Sequence, residues 1–327
     1  MTPPPPPPDL VVRFRADLEV LAGSPARLGL AVSGGPDSLA LLLLAAAAYP
    51  GRVAAATVDH GLRAESGWEA LHVEDICNRL AVPHDILTVT VPARRRAGLQ
   101  GEAREARYLA LRNWAEARHV PVLATGHHLD DQAETVLMRL ARGAGVGGLG
   151  GVRPLRWEDG LAIVRPLLGW SKSALVHLVA SSGIEAVEDP TNNDHRFDRT
   201  GARRLLRDRP ELDPARLARS AAACREADEA LDWATDQLIE DRLTTQGGEW
   251  RLDPSGLPAE LRRRLLLRTV EEVRTAHGLP ASPARGPDQD RLLRTLDGGE
   301  SATLAGVLAR GGAVWRFRLA PPRRGAA

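Results

Sequence analysis

LGLAVSGGPDSLALLLLAAAA, residues 28–48, places a Ser-Gly-Gly turn between a short apolar segment and a run of helix-forming residues. Gly34 and Gly35 let the backbone turn its N–H groups toward an anion, and the positive end of the following helix points to the same place. The lysine of the common phosphate-binding loop is missing from this turn. The stretch therefore predicts a buried strand, a phosphate-binding turn of an unusual kind and a buried helix.

Outward from this stretch, short apolar segments alternate with stretches of helical periodicity. The alternation predicts parallel strands joined by crossover helices, which is an α/β fold with an open, doubly wound parallel sheet. The predicted strands are 28–32, 53–58, 86–91, 122–125 and 161–167, and the predicted helices are 39–48, 67–80, 102–118, 129–142 and 171–183. In such a sheet, ligands bind at the carboxyl ends of the strands, near a switch in strand order.

The texture of the sequence divides the chain into three parts. Residues 1–12 contain a polyproline run, which predicts a short disordered or extended tail. Residues 13–210 are predicted to form the catalytic α/β domain, and residues 211–327 a smaller, mainly helical C-terminal region. A glycine-rich run at 142–151 follows a predicted helix instead of a strand, so we do not interpret it as a dinucleotide-binding turn.

Charge and cysteine content limit the possible classes of protein. The chain of 327 residues has 43 basic and 42 acidic side chains, so its net charge of +1 does not by itself indicate a nucleic-acid partner. Nearly every basic residue is arginine, which suits phosphate contacts but is also typical of a GC-rich coding bias. Cys77 and Cys224 lack a metal-ligand spacing, which favours a reducing cytoplasm. No segment is predicted to enter a membrane.

The turn contains one residue that phosphate binding alone does not explain. Asp37 would repel phosphates unless a cation lay between them, and a bound Mg²⁺ would convert this repulsion into coordination. Ser38 is placed either to cap the helix or to bind a phosphate oxygen. We therefore expect a nucleotide site at Ser33–Ser38, with Mg²⁺ held by Asp37.

The hexapeptide SGGPDS resembles the pyrophosphate-binding loop of the N-type ATP pyrophosphatases, also called PP-loop enzymes. The resemblance implies an adenine nucleotide α hydrolase-like fold in which ATP is cleaved between its α and β phosphates. It also implies that an oxygen of a second substrate is adenylated. ATP is then expected to contact Ser33, Gly34, Gly35, Pro36, Asp37 and Ser38.

Four further blocks narrow the resemblance. They are VDHGLRAES (58–66), GEAREARY (101–108), GHHLDDQAETVLMRLARGAG (126–145) and EDPTNNDHRFDRTGARRLL (188–206). In order and spacing they are similar to the tRNA(Ile)-lysidine synthetase family. The resemblance implies that a tRNA(Ile) with a CAU anticodon is adenylated at its wobble cytidine and then joined at the C2 carbon to free L-lysine, forming lysidine. The C-terminal region would supply tRNA binding.

Acidic and histidine residues cluster in the third block. Asp131 and Glu134 are spaced i, i+3 near the start of a helix, so both carboxylates face one side. They suit Mg²⁺, with Asp131 as the second ligand, or the ammonium group of lysine, whereas simple compensation of the helix dipole is the competing interpretation. His60 and Gly126 follow predicted strands and are expected near the nucleotide. His127 and His128 suit hydrogen bonding in the site or structural packing.

Arginines of the second and fourth blocks are candidates for stabilising the adenylated intermediate. Arg104 and Arg107 lie one helical turn apart, and Arg203 follows Arg199 by four residues, but each also fits a solvated helix face. Thr200 replaces an Asn common in the family, which puts that role in doubt. Arginines from Arg199 to Arg219 predict a cationic seam for tRNA, or alternatively a solvated helix surface.

Two other functions remain open at this stage. A tRNA base thiolase has the same loop but generally needs catalytic or cluster cysteines, which Cys77 and Cys224 do not provide. A non-catalytic tRNA- or nucleotide-binding module would not need Asp37, Asp131 and Glu134. The sequence does not decide the oligomeric state, for which a homodimer is the candidate beside a monomer.

Overall fold

The computed structural model describes residues 2–59, 66–89, 99–187, 198–280 and 287–321. Two compact units divide the chain, Met1–Arg225 and Glu226–Ala327. The division falls within a long helix, downstream of the predicted domain boundary at 210. His60 and most residues of the blocks at 58–66 and 188–206 lie outside the described residues.

The first unit is built on a six-stranded sheet. Its strands are β1 Leu28–Ala31, β2 Val53–Asp59, β3 His84–Thr88, β4 Val122–Thr125, β5 Leu155–Glu158 and β6 Leu161–Val164. The order is β3-β2-β1-β4-β6-β5, and all neighbours are parallel except β5 and β6. The chain leaves β1 toward β2 on one side and later returns to β4 on the other. The doubly wound parallel fold predicted from sequence is confirmed.

Helices cover the sheet and place one apolar helix in its core. The helices of this unit are α1 Pro8–Ala22, α2 Pro36–Ala48, α3 Ser66–Arg79, α4 Leu99–Ala117, α5 Leu129–Ala141, α6 Val146–Leu149, α7 Lys172–Ser181 and α8 Asp198–Asp208, and α9 Pro214–Arg242 continues into the second unit. Residues 38–45 of α2 are all buried. Because α2 is apolar on every side, it lies inside the unit and packs against α1 and α7.

The proline-rich start of the chain differs from the prediction of a tail over residues 1–12. Helix α1 already begins at Pro8, because proline is well tolerated in the first helical turn, where its missing N–H is not needed. Phe14 and Leu18 are buried in the core. Arg13 donates to the Gly169 carbonyl oxygen at 2.7 Å. Amphipathic residues after the prolines thus extend the folded unit farther toward the N-terminus than the proline content indicated.

Strand β5 forms a hairpin with β6 that was not predicted. The turn between them is Asp159-Gly160, with φ of 44° and 86°. Positive φ at both central residues is typical of a type I′ turn, which suits the twist of antiparallel strands. The hairpin makes β5 the edge of the sheet and leaves Trp157 exposed.

The second unit combines helices with an antiparallel sheet. Its elements after α9 are β7 Leu243–Gln246, β8 Glu249–Leu252, α10 Ala259–Ala276, α11 Pro287–Asp297, β9 Ser301–Leu304, β10 Val307–Arg310 and β11 Trp315–Leu319. The sheet order is β7-β8-β11-β10-β9. Trp315 and Phe317 are buried against Leu265 and Leu296. The helices agree with the prediction, whereas the sheet is an addition to it.

The length and apolar character of the helices also bear on membrane insertion. Across the described ranges, none of the helices is both long and apolar enough to cross a bilayer.

Candidate active site

The site lies at the carboxyl ends of β1 and β4, where the strand order switches. The two strands pair in register from Leu28 with Val122 to Ala31 with Thr125. The segments that leave them, Ser33–Ser38 and Gly126–Asp131, therefore emerge side by side. This is the position at which doubly wound sheets bind ligands.

The loop after β1 is held by the Ser38 side chain. The Ser38 hydroxyl donates to the Gly35 carbonyl oxygen at 2.9 Å, and its oxygen accepts the Ser33 backbone N–H at 3.1 Å. Gly34 has a φ of +85°, and a Cβ there would lie 3.2 Å from Val187. The Val187 N–H donates to the Gly34 carbonyl oxygen at 2.9 Å. Ser38 thus braces the loop, and Val187, which immediately precedes the fourth block, lies against it.

Gly126 allows the loop after β4 to touch the start of α2. A Cβ at position 126 would lie 3.0 Å from the Asp37 carbonyl oxygen and 3.1 Å from the Ser38 Cα atom. Both neighbours are backbone atoms at the beginning of a buried helix, so neither can move aside without moving the loop. A hydrogen at this position is therefore needed for close approach of the two segments.

We expect Gly126→Ala to lower ATP turnover about tenfold, because displacing the loop by a fraction of an ångström misaligns the reacting groups. The measurement is the rate of ATP-dependent pyrophosphate release. Gly67→Ala is the matched control, since a Cβ at Gly67 meets nothing within 4 Å. Equal rates for the two variants would show that the contact with α2 does not matter for turnover.

His128 joins the two segments through carboxylates. Its Nε2 atom lies 3.3 Å from Asp37 Oδ2 and 3.6 Å from Asp131 Oδ2, and Asp131 also accepts the His128 backbone N–H at 3.0 Å. The Nδ1 atom is 3.2 Å from the Asp130 backbone nitrogen and 3.5 Å from Asp130 Oδ2. As a neutral ring, His128 accepts from the Asp130 N–H and completes the capping box of α5; as an imidazolium, it donates to the carboxylate.

The surroundings of His128 favour the imidazolium. Burial lowers the pKa of His128, but hydrogen bonds and attraction from Asp130, Asp37 and Asp131 outweigh it and raise the pKa to about 10. The hydrogen bond from His128 in turn lowers the pKa of Asp130. Two acids from separate parts of the sequence, Asp37 and Asp131, therefore lie against one positively charged group.

The two predicted metal ligands fit a divalent cation in number and chemistry. Asp37 Oδ1 is buried and has no hydrogen-bond partner in the described part of the chain. Within those residues, no group of three or more His, Cys, Asp and Glu side chains is arranged to hold a metal. Mg²⁺ in a nucleotide site is usually held by one or two carboxylates together with phosphate oxygens and water. A single buried, unpartnered carboxylate oxygen beside a phosphate loop is consistent with that coordination.

Glu134 is paired with Arg203 across two helices. Arg203 Nε donates to Glu134 Oε1 at 2.7 Å, and the Glu134 side chain is only 4% exposed. Burial raises the pKa of Glu134, although Arg203 opposes this shift. Glu134 Oε2 is buried and lacks a partner among the described residues. The pair joins α5 to α8 and leaves one acidic oxygen unused.

Arg104 and Arg199 lie near His127, and Arg107 follows Arg104 on the same helix. Burial lowers the pKa of His127 to about 3; Asp131 opposes the shift, while Arg165, Arg199 and Arg104 add to it. The His127 Nδ1 atom is 2.9 Å from Thr125 Oγ1. Burial also lowers the pKa of Arg107. His127 is therefore a neutral ring between the acidic side of the site and a group of arginines.

Comparison with known proteins agrees with this arrangement. Residues 13–209 match the PP-loop domain family. A tRNA(Ile)-lysidine synthase from Zymomonas mobilis subsp. mobilis is 42% identical over 318 residues, covering 95% of this chain and 94% of the relative. The chain belongs to the tRNA(Ile)-lysidine synthase family. A second member, from Novosphingobium aromaticivorans, is 44% identical over 318 residues, with 95% and 94% coverage.

A solved structure supports the fold independently. The U34-tRNA thiolase NcsA from Methanococcus maripaludis, with its [4Fe-4S] cluster, is similar with a TM-score of 0.56 and 18% identity. The similarity covers 67% of this chain and 79% of the thiolase chain. At this level of identity, it shows a shared fold and nothing more about chemistry.

Sequence reasoning within this family did not identify Asp130, Tyr108 or Arg165. Asp130 accepts the Lys172 backbone N–H at 2.9 Å and so ties the start of α7 to the site. Tyr108 lies under the Arg104 guanidinium, whose Cζ atom is 5.0 Å from the ring centre. Arg165 follows β6 and is only 4% exposed. Of the three, only Arg165 had a signal in the sequence, which was an arginine directly after an apolar strand in IVRPL.

The predicted cationic seam is only partly balanced by acids. Arg204, Arg207 and Arg219 are exposed. Arg209 lies 3.8 Å from Glu211, and Arg216 lies 3.8 Å from Asp213, but the four side chains are 45–72% exposed. Exposed ion pairs of this length contribute little to stability. The seam's use by tRNA therefore stays a prediction.

Proposed function

We propose that this chain forms lysidine in tRNA(Ile) by joining lysine to the wobble cytidine of a CAU anticodon at the expense of ATP. One observation carries the proposal: the PP-loop acid Asp37 and the third-block acid Asp131 share contact with His128. The PP-loop and the third of the blocks that resemble the family thus lie side by side. A ligase that uses ATP, releasing AMP and pyrophosphate, is consistent with the family to which the chain belongs.

The first step is adenylation of the tRNA. The loop Ser33–Ser38 and the N-terminus of α2 hold the phosphates of ATP, because backbone N–H groups and the helix dipole favour anions there. The C2 carbonyl oxygen of the cytidine attacks the α-phosphate, and the bond to the β-phosphate breaks, releasing pyrophosphate. An arginine near His127, where Arg165, Arg199 and Arg104 all act on the imidazole, would stabilise the negative charge of this intermediate.

Mg²⁺ fits the residues Asp37 and Asp131. When bound, Mg²⁺ would neutralise the charge that develops on the departing pyrophosphate. Asp37 supplies a buried oxygen without another partner in the described chain. Asp131 is fixed by its bond to the His128 N–H, so its orientation is set before any ligand binds.

The second step requires the ε-amine of lysine in its uncharged form. The ε-amine attacks the C2 carbon, and AMP leaves with the oxygen that had been adenylated. Glu134 is suited to receive the ammonium proton, because burial raises its pKa toward that of a useful base and one of its oxygens is unpartnered in the described residues. In this scheme, Arg203 acts by holding Glu134. The sequence had instead made Arg203 a candidate for direct contact with the adenylated intermediate.

The remaining partners follow from the reaction. The C-terminal unit is proposed to bind tRNA, because the anticodon alone does not distinguish tRNA(Ile) from the methionine tRNA with the same anticodon. We propose a cytoplasmic location, because the reaction needs tRNA, free lysine and ATP together. The oligomeric state, monomer or homodimer, is a matter for measurement by light scattering.

The test uses purified protein, ATP, Mg²⁺ and radiolabelled lysine with either tRNA(Ile) of anticodon CAU or the elongator methionine tRNA. We expect label only in tRNA(Ile), with one AMP and one pyrophosphate released per lysine incorporated. Omission of lysine should still allow pyrophosphate release, since adenylation comes first. Absence of label in tRNA(Ile) despite ATP cleavage would mean that another acceptor is used.

Base thiolation is the second candidate, favoured only by the fold shared with the thiolase. Cys77 is buried, and burial raises its pKa to about 12, so it is a poor nucleophile and metal ligand. Cys224 is the only other cysteine of the chain. Replacing both with serine should leave lysine incorporation intact, whereas a thiolase would lose all activity. A non-catalytic module would show tRNA binding without pyrophosphate release in the same assay.

A further inference from the structure

A group of arginines surrounds Tyr108 beside the site. We define the Tyr108 cluster as Tyr108 with Arg104, Arg156 and Arg165. The Cζ atoms of Arg104 and Arg156 lie 5.0 Å and 5.8 Å from the centre of the Tyr108 ring. The Arg165 guanidinium also interacts electrostatically with Tyr108. One aromatic ring thus brings three guanidinium groups together.

Arg165 is the buried member of the Tyr108 cluster. It is 4% exposed, and its Nη1 group donates to the Arg153 carbonyl oxygen at 2.6 Å. Its Nε atom is buried and lacks a hydrogen-bond partner within the described chain, where no carboxylate pairs with it either. Burying a guanidinium without an acidic partner is costly, and burial accordingly lowers the pKa of Arg165. Pairing with a bound anion would offset this cost.

The Tyr108 cluster borders the site through β4 and β6. These strands pair from Val122 with Ala162 to Ala124 with Val164, so Thr125 and Arg165 follow next to each other at the carboxyl edge of the sheet. Thr125 is bonded to His127, and both Arg165 and Arg104 influence that imidazole. Among the residues that the structure describes, Glu158 pairs with Arg156 at the cluster. The charge of these described side chains is positive on balance.

We propose that the Tyr108 cluster binds one phosphate group of the polynucleotide substrate, adjacent to the nucleotide that reacts. Arg104, on the exposed side, makes the contact, and Arg165 provides a fixed positive charge behind it. Guanidinium groups suit this task because their planar donors match phosphate oxygens and their charge is weakly hydrated. The inference rests on the proposed function for the identity of the polynucleotide, but the binding site itself is testable without lysine transfer.

The experiment measures tRNA affinity across a series of salt concentrations, without ATP or lysine. Arg165→Met and Arg104→Met are compared with wild type and with Arg112→Met. Arg112 lies on the same helix and pairs with Asp159 at the surface, so it controls for loss of an arginine from α4. Loss of one phosphate contact reduces the slope of log affinity against log salt by about 0.7–0.9. We expect this reduction, with about fivefold to tenfold weaker binding, in the first two variants only.

Two further arms identify the phosphate. Because phosphate contacts carry no base information, tRNA(Ile) and elongator methionine tRNA should be weakened equally. The affinity for ATP alone should be unchanged in Arg165→Met. A loss of ATP affinity with an unchanged salt slope for tRNA would overturn the assignment, since the phosphate would then belong to the nucleotide.

Failure of this inference differs from failure of the proposed function. If wild-type protein binds tRNA but transfers no lysine, the proposed function fails and the salt slopes still test the cluster. If lysine is transferred but both methionine variants keep the wild-type slope, the cluster does not bind phosphate. Arg104 is exposed, so its variant decides the matter even if Arg165→Met does not fold, as monitored by thermal melting.

Discussion

Asp37→Asn is expected to lower the rate of tRNA adenylation by about three orders of magnitude or more. The substitution keeps the shape of the side chain but removes the negative charge that a divalent cation needs. Loss of several kcal/mol of charge stabilisation in the transition state corresponds to a rate change of this size. The measurement is pyrophosphate release in the presence of tRNA(Ile), ATP and Mg²⁺, over a wide range of Mg²⁺ concentration.

The same variant should bind tRNA with nearly wild-type affinity, because Asp37 belongs to the nucleotide loop. Asp75→Asn is the matched control: this acid is 67% exposed and lies 3.7 Å from Arg79 on the surface of α3. It should retain full activity. Full activity of Asp37→Asn would instead rule out Asp37 as a required metal ligand, whereas lost tRNA binding would point to a folding defect.

Arg203→Met is expected to reduce both stability and lysine incorporation. It leaves the Glu134 carboxylate buried without the cation that now lies 2.7 Å away. Removing one member of a buried ion pair costs about 3 kcal/mol or more, and the partial exposure of Arg203, 27%, favours the lower part of that range. Without Arg203, the pKa of Glu134 should rise further, because the group that opposes its shift is lost. Urea unfolding measures the stability change.

A double-mutant cycle separates the two effects. Glu134→Gln combined with Arg203→Met should recover much of the stability, since neither charge then remains buried, but should not recover lysine transfer. We expect Glu134→Gln alone to lower the rate of lysine transfer while leaving adenylation in place. Arg209→Met is the control for stability, because its pair with Glu211 is exposed and contributes little. Unchanged lysine kinetics in Glu134→Gln would assign Glu134 a purely structural role.

Regular alternation made the sheet predictable. Apolar segments and helices recur from β1 to β4 with clear periodicity, and carboxyl ends of adjacent parallel strands must meet at one edge. The proximity of the loop at Asp37 to the third block at Asp131 follows from that rule. The helix starting at Pro8 was missed because composition was weighed above the amphipathic pattern that follows the prolines.

Long-range partners were beyond sequence reasoning. Glu134 and Arg203 are 69 positions apart in the chain, and nothing local indicates that α5 and α8 pack together. Arg165 follows an apolar strand, and an arginine at that position is equally typical of a strand end that reaches solvent. The sequence therefore did not mark Arg165 as a buried residue. In the second unit, arginines alternate with aromatic residues in WRFRL, so the arginine-rich composition obscured a strand whose inner face is buried.

The burial of residues 38–45 of α2 has a mechanical consequence. A helix that is packed on all sides cannot translate or rotate without opening voids in a densely packed interior. The first turn of α2, which belongs to the loop proposed to bind ATP, is therefore held rigidly. Ligands are positioned relative to it, and the compliance needed to admit a polynucleotide and release pyrophosphate must reside in other segments of the chain. Because the α2 side of the site is rigid, motion during the reaction must occur on the other side.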